Sequence, residues 1–454
     1  MGGRRVELLF DPAAESWGAR AQARPLDELA RATRERLGLP VDRPVVMGGH
    51  QPEFWHAGIG AKLFALGALA RRLGWAQAWV VVDQSPGAGA TLAYPARAPG
   101  LVRRAARLCA HADTASIAPA SLPPVGGLAW EALGAASEAR EGLARIDRAL
   151  RARGGEASLA RQVHGAMWDL LARFAPARGV FATELPATPA WARMMGTMRT
   201  DPAACARLYN EAARAHPRGG VRALGVEAGR VELPVWERAE GGRAWRHVWS
   251  DRLGELGDER LVPRGVAMTG LLRWAACDLF VHGTGGGASG GDAGYDRVTE
   301  AWLATWLGVK SPAPAVVASA TMTMDLGGGA IPSPEEIARA GWAARHASHD
   351  PGVVGDRARA ERKRELLRRM GESRGRAGGA GRAACFAEMQ ALLREHREVN
   401  RGVLEAAEAR ARVLRGAAGE ASVAFSREWP LALHRVEDVD ELAAAVWAAI
   451  GGER

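Results

Sequence analysis

Three observations place this 454-residue chain in the α/β class. A short apolar strand, a polar glycine loop, a helical run and a second strand follow one another between Pro44 and Asp83. The same succession recurs between Arg264 and Thr321. After Ser333 the pattern becomes helical, with apolar residues at alternating three-and-four spacing. Together they predict a Rossmann-like parallel-sheet core, an inserted α+β region and a carboxy-terminal antiparallel helical hairpin, coiled-coil-like in its spacing.

A lead-in strand, Val6 to Phe10, and a helix over Leu26 to Leu37 come first. Pro44-Val45-Val46-Met47 is the first core strand, Leu63 to Leu73 carries the helical stripe, and Trp79 to Asp83 is a buried-strand run. From about residue 100 the pattern is mixed, with helices over Trp130 to Leu150 and Leu159 to Phe174. Arg230 to Trp249 reads as a β-hairpin turning at Gly241-Gly242. Leu279 to Gly283 is the next buried strand, followed by a glycine-rich loop over Thr284 to Gly294, a helix from Tyr295 with Asp296 as its N-cap, and a strand over Pro314 to Thr321. Ser333 and Glu336 have capping-box spacing. Helices over 356–370 and 382–415 form the hairpin, and its seam runs through Met389, Leu392, His396, Val399, Val403, Ala406 and Val413. His396 is read there as a packed polar group rather than a ligand. A final helix spans Val439 to Ile450. The expected units are 1–99 and 261–332 for the two halves of the core, 100–260 for the insertion, 333–420 for the hairpin and 421–454 for a returning segment.

Composition narrows the function. Cys109, Cys205, Cys277 and Cys385 stand far apart, which suggests neither a disulfide framework nor a zinc knuckle. A reducing cytoplasm is expected, since no apolar signal region or membrane-length segment is present and Val6 departs from a myristoylation signal. The net charge of +9 accompanies interspersed acidic residues and no aromatic-basic stripe, so neither nucleic acid nor membrane is expected as a partner. Lysine occurs only at Lys62, Lys310 and Lys363 in an arginine-biased chain, which marks Lys62 as retained for its compact head group or as a simple helix-face cap.

The chemistry concentrates at the two glycine loops. His50, Gln51 and Lys62 would ring an anionic group at the start of a helix, where Gly49, Gly58 and Gly60 let the backbone approach and His56 stands nearby. The plain alternative is a glycine turn with a satisfied core histidine. His50 and His56 lack the spacing of a helical zinc pair, and no metal is expected. Asp83, at a strand end, could meet a ribose hydroxyl or an amine, or act as a cap. The second constellation is His282, Gly283, Gly285, Gly286, Tyr295, Asp296 and Thr299, with Arg264 and Arg273 as candidate clamps for carboxylate or phosphate. That loop matches neither the dinucleotide fingerprint nor the Walker loop, and serine-hydrolase and zincin signatures are missing.

At these loops the chain resembles the bacillithiol biosynthesis cysteine-adding enzymes, as a divergent member. Gly48-Gly49-His50-Gln51 and Gly58 to Lys62 stand where that family has Thr-Gly-Gln-Gln and a helix start ending in lysine. Val281-His282-Gly283-Thr284-Gly285-Gly286, Tyr295-Asp296 and Val316 to Thr321 match its later strand, loop and strand. His50 replaces a glutamine, Asp83-Gln84-Ser85-Pro86 replaces an acidic, histidine-bearing stretch, and Gly287 to Gly294 lengthens the second loop. The resemblance implies a ligase joining an amino-acid carboxylate, cysteine-like, to the amine of a small sugar-like acceptor, with ATP, ADP and Mg2+ as the cofactors to test. His50, Gln51 and Lys62 would stabilise phosphate charge, while His282 and Asp296 orient the acceptor or move its proton. Two rivals are a nucleotidyltransferase using His50 and His56, and a non-catalytic nucleotide or sugar-phosphate binding protein. A homo-oligomer through the helical hairpin is the expected assembly.

Overall fold

The computed structural model describes residues 6–109, 117–174, 178–238, 245–285, 294–327, 331–372 and 379–451. In chain order the described elements begin with β1 (Val6–Asp11), α1 (Trp17–Arg20), α2 (Glu28–Arg36), β2 (Val45–His50), α3 (Ala57–Leu73) and β3 (Ala76–Val81). There follow β4 (Thr91–Arg97), β5 (Leu101–Arg107), α4 (Ser137–Ala152), α5 (Leu159–Leu171), β6 (Arg178–Phe181), α6 (Pro189–Thr200) and α7 (Pro202–Ala215). Next are β7 (Val226–Glu227), β8 (Arg230–Arg238), β9 (Trp245–Trp249), β10 (Leu261–Pro263), α8 (Gly265–Leu271), β11 (Leu279–His282), α9 (Tyr295–Trp306) and β12 (Ala315–Met322). The chain closes with α10 (Pro334–His346), α11 (Arg357–Glu372), α12 (Gly379–Val399), α13 (Arg401–Ala424) and α14 (Val436–Ile450).

The result is a mixed α/β structure around a six-stranded sheet of order β1-β12-β11-β2-β3-β6. All neighbouring pairs are parallel except β1 with β12, so the lead-in strand is an antiparallel edge. Side chains alternate between two cores because successive strand residues point to opposite faces. Val46, Trp79, Val81 and Val281 pack with α3 in one core, whereas Met47, Ala78, Val80 and Phe280 pack with α9 in the other. Both faces are therefore covered, which is why these strands read as continuous apolar runs.

The crossover from β2 through α3 leads to β3, and that from β11 through α9 leads to β12. β2 and β11 are neighbours, so the two connections depart in opposite directions and, by the right-handed rule, cover opposite faces. This arrangement opens a crevice at the carboxyl ends of β2 and β11.

β6, from the range expected as an insertion, pairs with β3 and completes the main sheet. The rest of that range carries the β4–β5 pair and a small sheet in which β8 pairs with β7, β9 and β10. The expected hairpin of Arg230 to Trp249 is the β8–β9 pair, and its turn at Gly241-Gly242 lies outside the described residues.

In the carboxy-terminal part Ser333 and Glu336 form the expected capping box. The stretch read as one helix over 382–415 is two helices, α12 and α13, meeting at Asn400. There the Asn400 side-chain amide donates to the His396 carbonyl one turn back at 3.1 Å, a bond to the backbone that competes with helical continuation. α11 packs on α12 and α10 on α13. Of the expected seam, Met389 and His396 are buried, and His396 Nε2 lies 2.8 Å from the Ala347 carbonyl. Val399, Val403 and Val413 are exposed instead, since α12 packs on α11 and α13 on α10 and no single seam runs through both. Among the described residues no helix is long and apolar enough to cross a membrane.

Candidate functional site

β2 runs to His50, so Gly48 and Gly49 belong to the strand rather than to the turn after it. Glycine is needed at Gly49, where a Cβ would lie 2.5 Å from the Val80 carbonyl oxygen of β3. His50 Nδ1 then sits 3.1 Å from Glu53 Oε1. Burial is the main influence on His50 and lowers its pKa; Lys62 acts the same way, and Glu53 opposes them. The turn is pinned by the Trp55 indole, which donates to the Gln51 carbonyl at 2.9 Å.

His56 is the N-cap of α3, and its Nδ1 accepts from the Gly58 N–H at 3.0 Å. That bond requires an unprotonated Nδ1, in keeping with the lowering of its pKa by burial. One turn further on, Lys62 is only 4% exposed, with Nζ donating to the Gly49 carbonyl at 2.7 Å and lying 5.6 Å from the centre of the Trp79 ring. Burial pushes its pKa down to about 7, with Glu53 opposing. An ammonium has three donors, and the Gly49 carbonyl occupies one. The simple helix-face cap weighed from the sequence thus gives way to a buried head group between the loops.

The second loop leaves β11 at His282 and re-enters helix at α9. Gly294 is the N-cap of α9, correcting the assignment of that position to Asp296. Asp296 instead turns inward from the first turn, 2.8 Å from His282 Nε2 and 3.0 Å from Arg273 Nη1. Burial opposes ionisation of Asp296, but His282 and Arg273 outweigh it and hold its pKa below the usual carboxylate value. His282 Nδ1 lies 3.3 Å from the Tyr295 hydroxyl, which also bonds Thr269; burial pushes the Tyr295 phenol up. His282 Nε2 thus lies at ion-pair distance from Asp296 without hydrogen-bond geometry, Nδ1 faces the Tyr295 hydroxyl, and both His282 and Tyr295 line the cleft.

The two loops meet in one cleft of about 610 Å³. Gly49, His50, Gln51, His56, Gly58 and Lys62 line it from the first loop, and His282, Gly283, Gly285 and Tyr295 from the second. A Cβ added at Gly283 would touch the Lys62 side chain at 3.5 Å, so the lysine spans the gap between the loops. Arg264 also lines the cleft, but its Nη1 is held 2.6 Å from Glu232 Oε1. The α3 side of the cleft is polar, with Ser319 of β12 completing it. The α7–α8 side is largely apolar, formed by Tyr209, Val221, Val266 and Met268 with Phe280.

Several candidates stand elsewhere. Gly60 faces Leu431, whose Cδ1 would be 2.1 Å from an added Cβ, so it serves close packing. Asp83 is buried behind Thr183, accepting from its hydroxyl at 2.6 Å and its N–H at 3.0 Å. Burial lifts its pKa to about 6 against those bonds. Arg273 is fully buried beneath α9, bound to the Ala313 carbonyl, Asp296 and Glu300. It cannot clamp a ligand, and it anchors Asp296 instead. Thr299 donates to the Tyr295 carbonyl within α9 at 3.0 Å. Gly286 lies outside the described residues.

The sequence reading missed Glu53, Thr269, Tyr209, Val221 and Ser319. Glu53 was legible as an acidic residue three positions after His50; the others come from distant elements and carry no local signal. Among the described residues no group of three or more His, Cys, Asp or Glu side chains is placed to hold a metal ion. Comparison of the chain with protein-family models and with curated proteins gives no match.

Proposed function

We propose that this chain is a ligase that joins an amino-acid carboxylate to the amine of a small sugar-like acceptor, with a nucleoside triphosphate as the activating substrate. The observation that carries the reading is the convergence of His50 and Lys62 with Tyr295 and His282 in one cleft where the crossovers reverse. The loop resemblance to the cysteine-adding enzymes supports the same reaction class and a Rossmann-like, cytoplasmic protein whose carboxy-terminal helices form a hairpin that joins two copies.

The two sides of the cleft suit an amphipathic ligand. Lys62, with donors to spare, takes a phosphate or carboxylate on the polar side, and an aliphatic or planar group lies against Val221, Val266 and Met268. The volume of about 610 Å³ falls in the usual range for small-molecule and cofactor sites. ATP fits this donor set through Lys62, His50 and the backbone of the loops; when bound it would supply a phosphoryl group to activate the carboxylate. Mg2+ would then be carried by the phosphate oxygens of the nucleotide. His282, fixed between Asp296 and Tyr295, orients the phenol toward the acceptor.

Thermal-shift screening of nucleotides, amino acids and amino-sugar conjugates, repeated on Lys62→Ala, tests the reading. Ligands of the cleft raise Tm in the parent and not in the variant. ADP release dependent on both an amino acid and an amine establishes ligase chemistry, whereas pyrophosphate release would favour the nucleotidyltransferase. Stabilisation without any turnover across the panel would favour a binding protein instead.

A further inference from the structure

We propose that Glu53 is a positioning residue that fixes His50 as the Nδ1–H tautomer and leaves Nε2 as the proton acceptor of the cleft. The inference rests on the ligase reading only for the identity of the proton that Nε2 takes. Its geometric basis is independent of that reading. His50 Nδ1 is a buried atom at ion-pair distance, 3.1 Å, from Glu53 Oε1, and the contact lacks hydrogen-bond geometry, so Nδ1 has no other polar partner than this charge. A carboxylate beside Nδ1 favours the hydrogen on that nitrogen, because its oxygens attract an N–H and repel a lone pair. In a neutral imidazole the other nitrogen then holds the lone pair. The 21% of the His50 side chain that stays accessible is directed to the cleft it lines.

The turn is built to hold this pair. The Glu53 N–H bonds the Gln51 carbonyl at 3.0 Å, the Trp55 indole bonds the same oxygen, and the His50 carbonyl accepts from Val82 at 3.0 Å. The titratable groups facing His50 are Glu53 on its own turn and, from the start of α3, His56 and Lys62. Burial and Lys62 keep the ring neutral, as a base requires, while Glu53 stands ready to offset the charge gained on protonation. In the ligase reaction Nε2 accepts a proton from the acceptor ammonium, whose N–H electron pair stays on nitrogen. That amine attacks the carbonyl carbon of an acyl phosphate formed from the amino acid and the nucleoside triphosphate; the C–N bond forms, the C–O bond to phosphate breaks, and the phosphate leaves with the second amine proton.

The test is 15N spectroscopy of the full chain with selectively labelled histidine, with His50 assigned by the signal lost in His50→Gln. The expected result is a protonated Nδ1 and an unprotonated Nε2 in the parent at a pH where His50 is neutral. Glu53→Leu should shift the population toward Nε2–H and lower the His50 titration midpoint. Glu53→Gln should keep Nδ1–H, because its amide oxygen still accepts, while also lowering the midpoint. An Nε2–H tautomer in the parent, or an unchanged tautomer in Glu53→Leu, overturns the proposal. The measurement needs no substrate, so it stands or falls separately from the ligase reading.

Discussion

Lys62 Nζ donates to the Gly49 carbonyl at 2.7 Å, tying the first helix of the cleft to the strand that precedes it. Burial lowers its pKa to about 7 from 10.5. The folded value is below the unfolded one, so the unfolded chain binds more protons between those limits. Stability should therefore rise with pH from about 7 to about 10, by up to about 1.4 kcal/mol per unit, and the full cost of the buried charge is present below 7. Lys62→Met should flatten that slope and raise Tm at pH 6 while removing ligand-induced stabilisation. Urea denaturation of both proteins from pH 6 to 9 measures it; parallel slopes would refute the assignment.

Gly49→Ala should destabilise the fold by about 3 kcal/mol, since the new Cβ meets backbone that two parallel strands hold in place. A denaturant midpoint within error of the parent would show that β2 and β3 can separate locally.

Arg273→Met should cost about 3–5 kcal/mol, because it strands Asp296 as a buried carboxylate with one partner fewer. The loss should shrink when Asp296→Asn is added, and the double-mutant cycle is the measurement.

Asp83→Ala should lower stability by about 1–3 kcal/mol through the orphaned Thr183 N–H, yet leave the ligand-induced Tm shift intact. With its folded pKa raised to about 6 from 3.8, Asp83 binds an extra proton in the folded state across that interval. Its contribution to stability accordingly falls as pH rises from about 4 to 6, and the variant should lose this component. Loss of ligand response in Asp83→Ala would return this residue to the cleft.

On the proposed ligase reading the phenol assists proton transfer, so Tyr295→Phe should reduce turnover by about 10²-fold or more, with a stability change near 1 kcal/mol. Paired kinetics and thermal melts separate the two effects.

Much of this site was legible locally. His50, Lys62 and Gly58 stand out as polar groups and glycines at a strand-to-helix turn, and they do line the cleft. Arg273 and Asp83 looked equally suitable in sequence, where a charged residue near a strand end has no visible direction. Their burial depends on α9 and on Thr183, which lie far along the chain. Asp296 illustrates the same limit at shorter range: its position favours a helix cap, but contacts with His282 and Arg273 draw its carboxylate inward.

The sequence by itself determined the strand–loop–helix units, the capping box at Ser333 and the singularity of Lys62, because these depend on periodicity and on neighbours a few residues away. Only the tertiary structure decided that β2 lies beside β11, that Lys62 reaches across to Gly283, and that His282 and Tyr295 meet the same cleft as His50. Strand order and side-chain direction follow from packing two cores against one sheet, which joins residues hundreds of positions apart.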